Sequence, residues 1–258
     1  MEQLDQKYLI PEVIDGKGTQ EKEMLLGILK DAEHSMSENV SAYRRNIEEY
    51  KDYIEAWVHE VKIPISTLKL MAEKDHAGMI DAEVDRIERY VEQALYYARS
   101  AAVEKDFFIR QIDLCAVVKQ EISKRKRSFI ALHTNVQIGE MPADRKIKSD
   151  EKWIGFIIGQ ILDNSIKYAK EGEALRLRVQ FAEEDGSVCL QITDNGIGMK
   201  ASETARAFEK GFTGSNGRSG RASTGMGLYL CKKLCNRLEH EIRMESKEGE
   251  GTTVSILF

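Results

Sequence analysis

Residues 150–170, DEKWIGFIIGQILDNSIKYAK, carry the reading from which the rest of the fold follows. Asp150 stands where a helix N-cap belongs, and Trp153, Ile154, Ile157, Ile158, Ile161 and Leu162 recur at helical spacing as one apolar stripe. The spacing predicts a helix over 150–170 with that stripe in a core. Outward from it, β-like runs at 107–112, 134–138, 175–181, 188–193, 241–246 and 252–257 alternate with helical runs at about 115–129 and 226–238. Alternation of this kind implies a layered α/β domain with a sheet over 104–258.

Upstream the period changes. Ile54, Val58, Val61, Ile65, Leu68 and Ala72 recur at spacings of four and three. After turn residues at 75–78, Ile80, Val84, Ile87, Val91, Ala94 and Ala98 repeat that spacing. Two such stripes predict a helical hairpin over 37–103. A lone hairpin buries too little apolar surface to hold itself, so dimerisation to a four-helix bundle is expected, the alternative being that the hairpin packs on the second domain of its own chain. Residues 1–36 mix charge with Pro11, Gly16 and Gly18 and turn helical from Glu21, as a signal-transmitting linker would. The whole is α+β and multidomain.

Composition narrows the function. A chain of 258 residues has room for two domains. With 31% charged residues and a formal net charge of −5, it shows no basic excess of the kind nucleic acid attracts, and direct DNA or RNA binding is not expected. Cys115, Cys189, Cys231 and Cys235 sit among apolar neighbours without a CxxC pair. That pattern predicts core packing in a reducing compartment, with neither disulfides nor zinc. No apolar run approaches the roughly 18 to 20 residues of a membrane span, and Met1 is followed by Glu2 and Asp5, so the stretch is expected to be soluble.

Two glycine-rich segments point to phosphate: DNGIGM at 194–199, directly after a predicted strand, and GMGL at 225–228, opening a predicted helix. Glycines admit close approach of backbone N–H groups, and a helix N-terminus favours an anion. A Walker-type loop is absent. In order, the chain presents QILDNSIKY, DNGIGM, FEKGFTG, STGMGLYL and EGEGTT. This series resembles the N, G1, F, G2 and terminal glycine boxes of the ATP-binding domain shared by gyrase, the heat-shock chaperone, histidine kinases and MutL, over about 149–258.

The resemblance implies an α/β sandwich, a mixed sheet with helices on one face, and it implies ATP with Mg²⁺. Asn164 would be the metal ligand, a neutral hard oxygen that leaves other positions to phosphate and water. Lys167 would meet phosphate, Tyr168 would cover the adenine ring, and Asp194 would accept from the adenine amino group. Gly196, Gly198, Lys210, Phe212, Gly225, Gly227, Leu228 and Thr252 would complete the nucleotide site. Residues 210–223 would form a lid from which Arg218 or Arg221 reaches the γ-phosphate. Ser223 stands where the G2 box usually has a further glycine. Hydrolytic relatives carry a Glu one turn before the metal Asn; here Gln160 stands there, and an amide is no general base.

Among the five histidines, His59 has a distinctive setting, Trp57-Val58-His59-Glu60-Val61-Lys62-Ile63-Pro64. Val58 and Val61 take the seam, so His59 is expected just off it and facing solvent, with Glu60 beside it to take the ring proton. Pro64 should bend the helix next to it. The segment resembles the H box of a dimeric phosphoacceptor domain, with one departure: Ile63 stands where Thr or Asn is common. The phrase is similar to that of the bacitracin-sensing, intramembrane-sensing kinases of Firmicutes. That similarity implies a homodimeric sensor histidine kinase whose partners are a response regulator and an ABC transporter. It also implies membrane helices before Met1 and a cytoplasmic location for this portion. The competing readings are a superfamily ATPase or Ser/Thr protein kinase, which would lack the hairpin, and a silent dimeric scaffold, which would have lost Asn164 or the glycines.

Overall fold

A computed structural model of the protein describes residues 20–72, 77–101, 108–141, 147–184, 186–214 and 225–258. The expected linker features Pro11, Gly16 and Gly18, and the lid residues Arg218, Arg221 and Ser223, lie outside the described residues, as do the side chains of His59 and Glu60. The chain divides into two compact units, Met1–Glu55 and Ala56–Phe258.

Helix α1 (Gln20–Ala72) runs unbroken through Pro64. Proline removes one N–H from the ladder. Nearby, the hydroxyls of Ser66 and Thr67 donate to the carbonyls of Lys62 (2.8 Å) and Ile63 (3.1 Å). In the first unit α1 leaves Met36, Val40, Tyr43 and Ile47 exposed. In the second, α1 is followed by α2 (Ala77–Ala101), and the Trp57 indole N–H donates to the carbonyl of Tyr90 at 2.6 Å, tying the two arms of the hairpin. Gly78, expected in the turn, belongs to α2, and Asp75, expected there too, lies outside the described residues.

The rest of the second unit is the α/β domain: β1 (Arg110–Ile112), α3 (Leu114–Lys124), α4 (Lys126–Ala131), β2 (Asn135–Ile138), β3 (Ile147–Ser149), α5 (Glu151–Lys167), β4 (Arg176–Glu184), β5 (Ser187–Asp194), α6 (Ala201–Thr204), α7 (Met226–Arg237), β6 (Glu241–Lys247) and β7 (Gly251–Leu257). Five strands form a mixed sheet in the order β2-β4-β5-β7-β6, parallel at β2/β4 and antiparallel elsewhere; β1 and β3 make a separate two-stranded ribbon. Two expectations need correction. The single helix over 115–129 is two helices with a turn at Arg125, and β3 was not foreseen because its three residues gain strand structure only by pairing with β1.

Helix α5 begins as its sequence dictates: the Asp150 carboxylate accepts from the backbone N–H groups of Lys152 (2.9 Å) and Trp153 (3.0 Å). Such a cap contributes about 1 kcal/mol. Trp153, Ile154, Ile157, Ile158, Ile161 and Leu162 are all buried, as are Leu177 and Val179 of β4, Leu190 and Ile192 of β5, and Leu230 and Leu234 of α7. Each side chain of this size contributes roughly 1.5–3 kcal/mol on full burial. Cys189, Cys231 and Cys235 belong to the same core as free thiols; burial pushes the Cys235 thiol up to about 12. The hairpin meets this domain through α2. The Tyr96 hydroxyl donates to the Lys152 carbonyl at 3.0 Å, its ring lies 4.2 Å from that of Phe156, and the Lys233 ammonium sits 4.9 Å from the centre of the Tyr97 ring.

Candidate nucleotide site

The C-terminal turn of α5, the end of β5, the start of β7 and the first turn of α7 converge on one cavity of about 1540 Å³. Asn164, half-buried, lines it together with Lys167, whose ammonium is 5.6 Å from the Tyr168 ring centre. Tyr168 caps α5, and its carbonyl accepts from the Ile197 N–H at 3.0 Å, which fixes the loop after β5 against the helix end.

Asp194 closes β5, and three groups hold its carboxylate. The Gly196 N–H (2.9 Å) and the Thr252 N–H (3.3 Å) donate to Oδ1, and the Ser165 hydroxyl donates to Oδ2 at 2.9 Å. Burial nevertheless raises its pKa above the usual carboxylate range, with these donors pulling the other way. An acceptor preset in this way is suited to a ligand amino group. Ser165 escaped the sequence reading; its position next to Asn164 was the available signal.

Gly198 adopts φ +65° with the Lys247 carbonyl where a Cβ would stand, so no other residue fits. The Gly249 N–H donates to the Ile197 carbonyl at 2.8 Å, locking this loop to the β6–β7 turn. Gly225, at φ +66°, is the N-cap of α7 and abuts the backbone of Gly211 and Phe212. Gly225, Gly227 and Leu228, at the N-terminus of α7, line the cavity, and a helix N-terminus favours an anion. A Cβ on Gly227 would come within 2.7 Å of the Gln160 amide oxygen, so the α7 turn lies flush against α5.

Phe212 and Thr252 also line the cavity, Phe212 with the Arg206 guanidinium 4.7 Å from its ring centre. Gly196, whose N–H donates to Asp194, and Lys210 are not among the lining residues. On the opposite side the hairpin contributes Gln93, Tyr96 and Ile63, the last one helical turn beyond His59. His59 and Glu60 lie on α1; the directions of their side chains are outside the described residues.

The site's donor set fits Mg²⁺. Among the described residues no three His, Cys, Asp or Glu side chains cluster, while Asn164 offers one hard neutral oxygen in a cavity that Lys167, Gly198, Gly225 and Gly227 also line. Mg²⁺ is commonly held this way, through one or two protein oxygens with substrate phosphates and water supplying the rest.

Residues 149–258 match the family described as histidine kinase-, DNA gyrase B-, and HSP90-like ATPase. Sensor protein BceS of Bacillus subtilis is 33% identical over 235 residues, covering 90% of this chain and 69% of its own. This chain belongs to the sensor histidine kinases. Sensor histidine kinase YxdK of the same organism is 36% identical over 210 residues, covering 80% of this chain and 64% of its own length. The chain thus spans about two thirds of the curated relatives it matches. The solved histidine kinase ThkA, in complex with response regulator protein TrrA, superposes with a TM-score of 0.61 at 12% identity, covering 85% of this chain and 65% of that one, a likeness of fold. In this sensor histidine kinase, 149–258 is the ATP-binding domain.

Proposed function

We propose that this chain transfers the γ-phosphoryl group of ATP to His59 and then to an aspartate of a response regulator, acting as a homodimer. The observation that carries the reading is the composition of the cavity: Asn164, Asp194, Gly198, Gly225 and Gly227 on one side, and Ile63, one turn from His59, on the other.

Asp194 and Tyr168 would hold the base, and the α7 N-terminus with Lys167 would hold the phosphates, leaving the γ-phosphate toward the hairpin. Asn164 would hold Mg²⁺, which supplies neutralisation of the charge that develops on the phosphate oxygens. An imidazole nitrogen of His59 attacks phosphorus as the bond from phosphorus to the ADP oxygen breaks. Glu60 takes the ring proton. In the second step the regulator's carboxylate attacks, and the phosphorus–nitrogen bond breaks. Gln160 beside the glycines has no basic lone pair to activate water, which favours a protein acceptor over hydrolysis.

The dimer reading is supported by Val58, Ile65, Val84 and Val91, seam residues left exposed on a single chain. The resemblance of residues 57–64 to the bacitracin-sensing kinases supports a place as the cytoplasmic portion of a bacterial membrane protein coupled to an ABC transporter; among the described residues no helix is long and apolar enough to cross a membrane.

Incubation with γ-labelled ATP and Mg²⁺ tests the proposal. Wild type should acquire acid-labile, base-stable label, and His59→Gln should bind ATP yet acquire none. Label persisting on His59→Gln, or ATP bound by wild type without any label, would overturn it.

A further inference from the structure

Helix α5 carries two glycines, Gly155 and Gly159, in its interior, where glycine weakens a helix. What they face explains them. A Cβ on Gly155 would lie 3.3 Å from Glu121 Oε1, and one on Gly159 would lie 2.6 Å from Arg125 Nη2. One turn further along the same face stands Asp163. Arg125 leaves the α3–α4 turn, crosses the bare backbone at Gly159 and grips Asp163 with two parallel bonds, Nε to Oδ1 at 2.8 Å and Nη2 to Oδ2 at 2.9 Å. Its remaining nitrogen donates to Glu121 Oε2 at 2.8 Å, and Lys124 donates to Glu121 Oε1 at 2.6 Å.

Side chains of this group are well shielded: Glu121 is 7% exposed, Arg125 15% and Asp163 27%. Buried ion pairs contribute little net stability against an apolar substitute, and their best-attested use is to fix one arrangement among several. The apolar stripe of α5 is held by non-directional contacts, whereas a two-pronged guanidinium–carboxylate pair has a fixed angle. Asp163 immediately precedes Asn164. A rotation of α5 by about 10° would swing a side-chain atom lying about 5 Å from the axis by about 1 Å, and displacements of that size cost catalysts dearly.

We infer that Arg125 is a positioning residue: clamped to Asp163 and Glu121 across Gly159, it sets the rotation of α5 and hence the aim of the Asn164 amide at the metal. The inference rests on the reading of Asn164 as the Mg²⁺ ligand. Groups that orient a metal ligand from behind typically change metal affinity by about 10- to 100-fold when removed.

The test is calorimetric ATP binding, with Mg²⁺ and with EDTA, for wild type, Arg125→Met, Arg125→Lys, Gly159→Ala and Asn164→Ala. Gly159→Ala keeps every charge and improves helix propensity, yet displaces the guanidinium. Arg125→Met and Gly159→Ala should each lose about tenfold of the Mg²⁺-dependent gain in affinity, with EDTA values near wild type. Arg125→Lys, a point charge without the fork, should fall between. Wild-type Mg²⁺ dependence in Gly159→Ala would overturn the inference, even if Arg125→Met fails to fold. If Asn164→Ala keeps the Mg²⁺ gain, the metal reading itself fails; if Asn164→Ala loses it while the Arg125 and Gly159 variants keep it, only the positioning role fails.

Discussion

Helix α5 and the hairpin are written in the same periodic code and meet opposite fates. In α5, Ile154, Ile157, Ile158 and Leu162 are 0% exposed; on the hairpin, Val58, Ile65, Val84 and Val91 are 37%, 39%, 40% and 42% exposed. Amphipathic spacing says that a face will be covered, and is silent on which chain covers it. The ATP-binding domain supplies its own cover from β4, β5 and α7. The hairpin, with only two arms, leaves a seam that a second copy would fill.

The sharpest way to break that comparison is a core-directed substitution on each side of the contrast. Val84→Glu with Val91→Glu should convert a dimer to a monomer in analytical ultracentrifugation, since each carboxylate driven into a bundle core costs several kcal/mol. ATP binding by the separate domain should change little. A double variant that stays dimeric would show that the seam is covered otherwise. On the other side, Ile157→Ala should cost about 2–5 kcal/mol in denaturant unfolding of the ATP-binding domain, because the cavity it leaves cannot collapse in so dense a core. The same truncation at Val91 should register in association and hardly at all in unfolding of a monomer.

The contrast also marks what could be read from the chain alone. Where a local pattern and its tertiary use agree, the reading stands: Asp150 caps α5, the stripe from Trp153 to Leu162 is core, and the runs expected at 241–246 and 252–257 are β6 and β7 with one residue added at the near end of each. Where distant partners decide, it does not. The parallel pairing of Asn135 with Arg176 and the insertion of β7 between β5 and β6 are settled by non-local hydrogen bonds that no window of sequence contains. At Arg125 local preference points the wrong way. Lys124, Arg125 and Lys126 are all good helix formers, yet the ion pair with Asp163 turns the chain between α3 and α4. Of the site, the motif residues were legible as types in order, whereas Ser165 on Asp194 and the Glu121–Arg125–Asp163 group depend on contacts made only in the fold.

The smallest effect expected is one of pH, and it confines titration to the ATP-binding domain. His240, at the entry to β6, is buried; its Nε2 is 2.8 Å from the Ser149 hydroxyl and its ring packs edge-on against Phe258 at 4.8 Å. Burial lowers its pKa from the usual 6.5, with Glu239 pulling weakly the other way. The folded state therefore holds fewer protons than the unfolded state near and below 6.5, so this group's contribution is complete above that value and is lost as pH falls through it. Asp194 has the opposite sign. Its folded pKa is raised from 3.8, so stability declines as pH climbs from there toward the folded value, where the carboxylate must ionise against its burial. Thermal melting of the ATP-binding domain followed from pH 4 to 8 should thus fall and then rise. His240→Gln should flatten the upper limb alone, and Asp194→Asn the lower limb alone. The seam residues Val58, Ile65, Val84 and Val91 do not titrate, so dimer dissociation should show neither the His240 nor the Asp194 limb; a limb in dissociation that His240→Gln abolishes would mean that the hairpin and the ATP-binding domain are coupled more tightly than their packing implies.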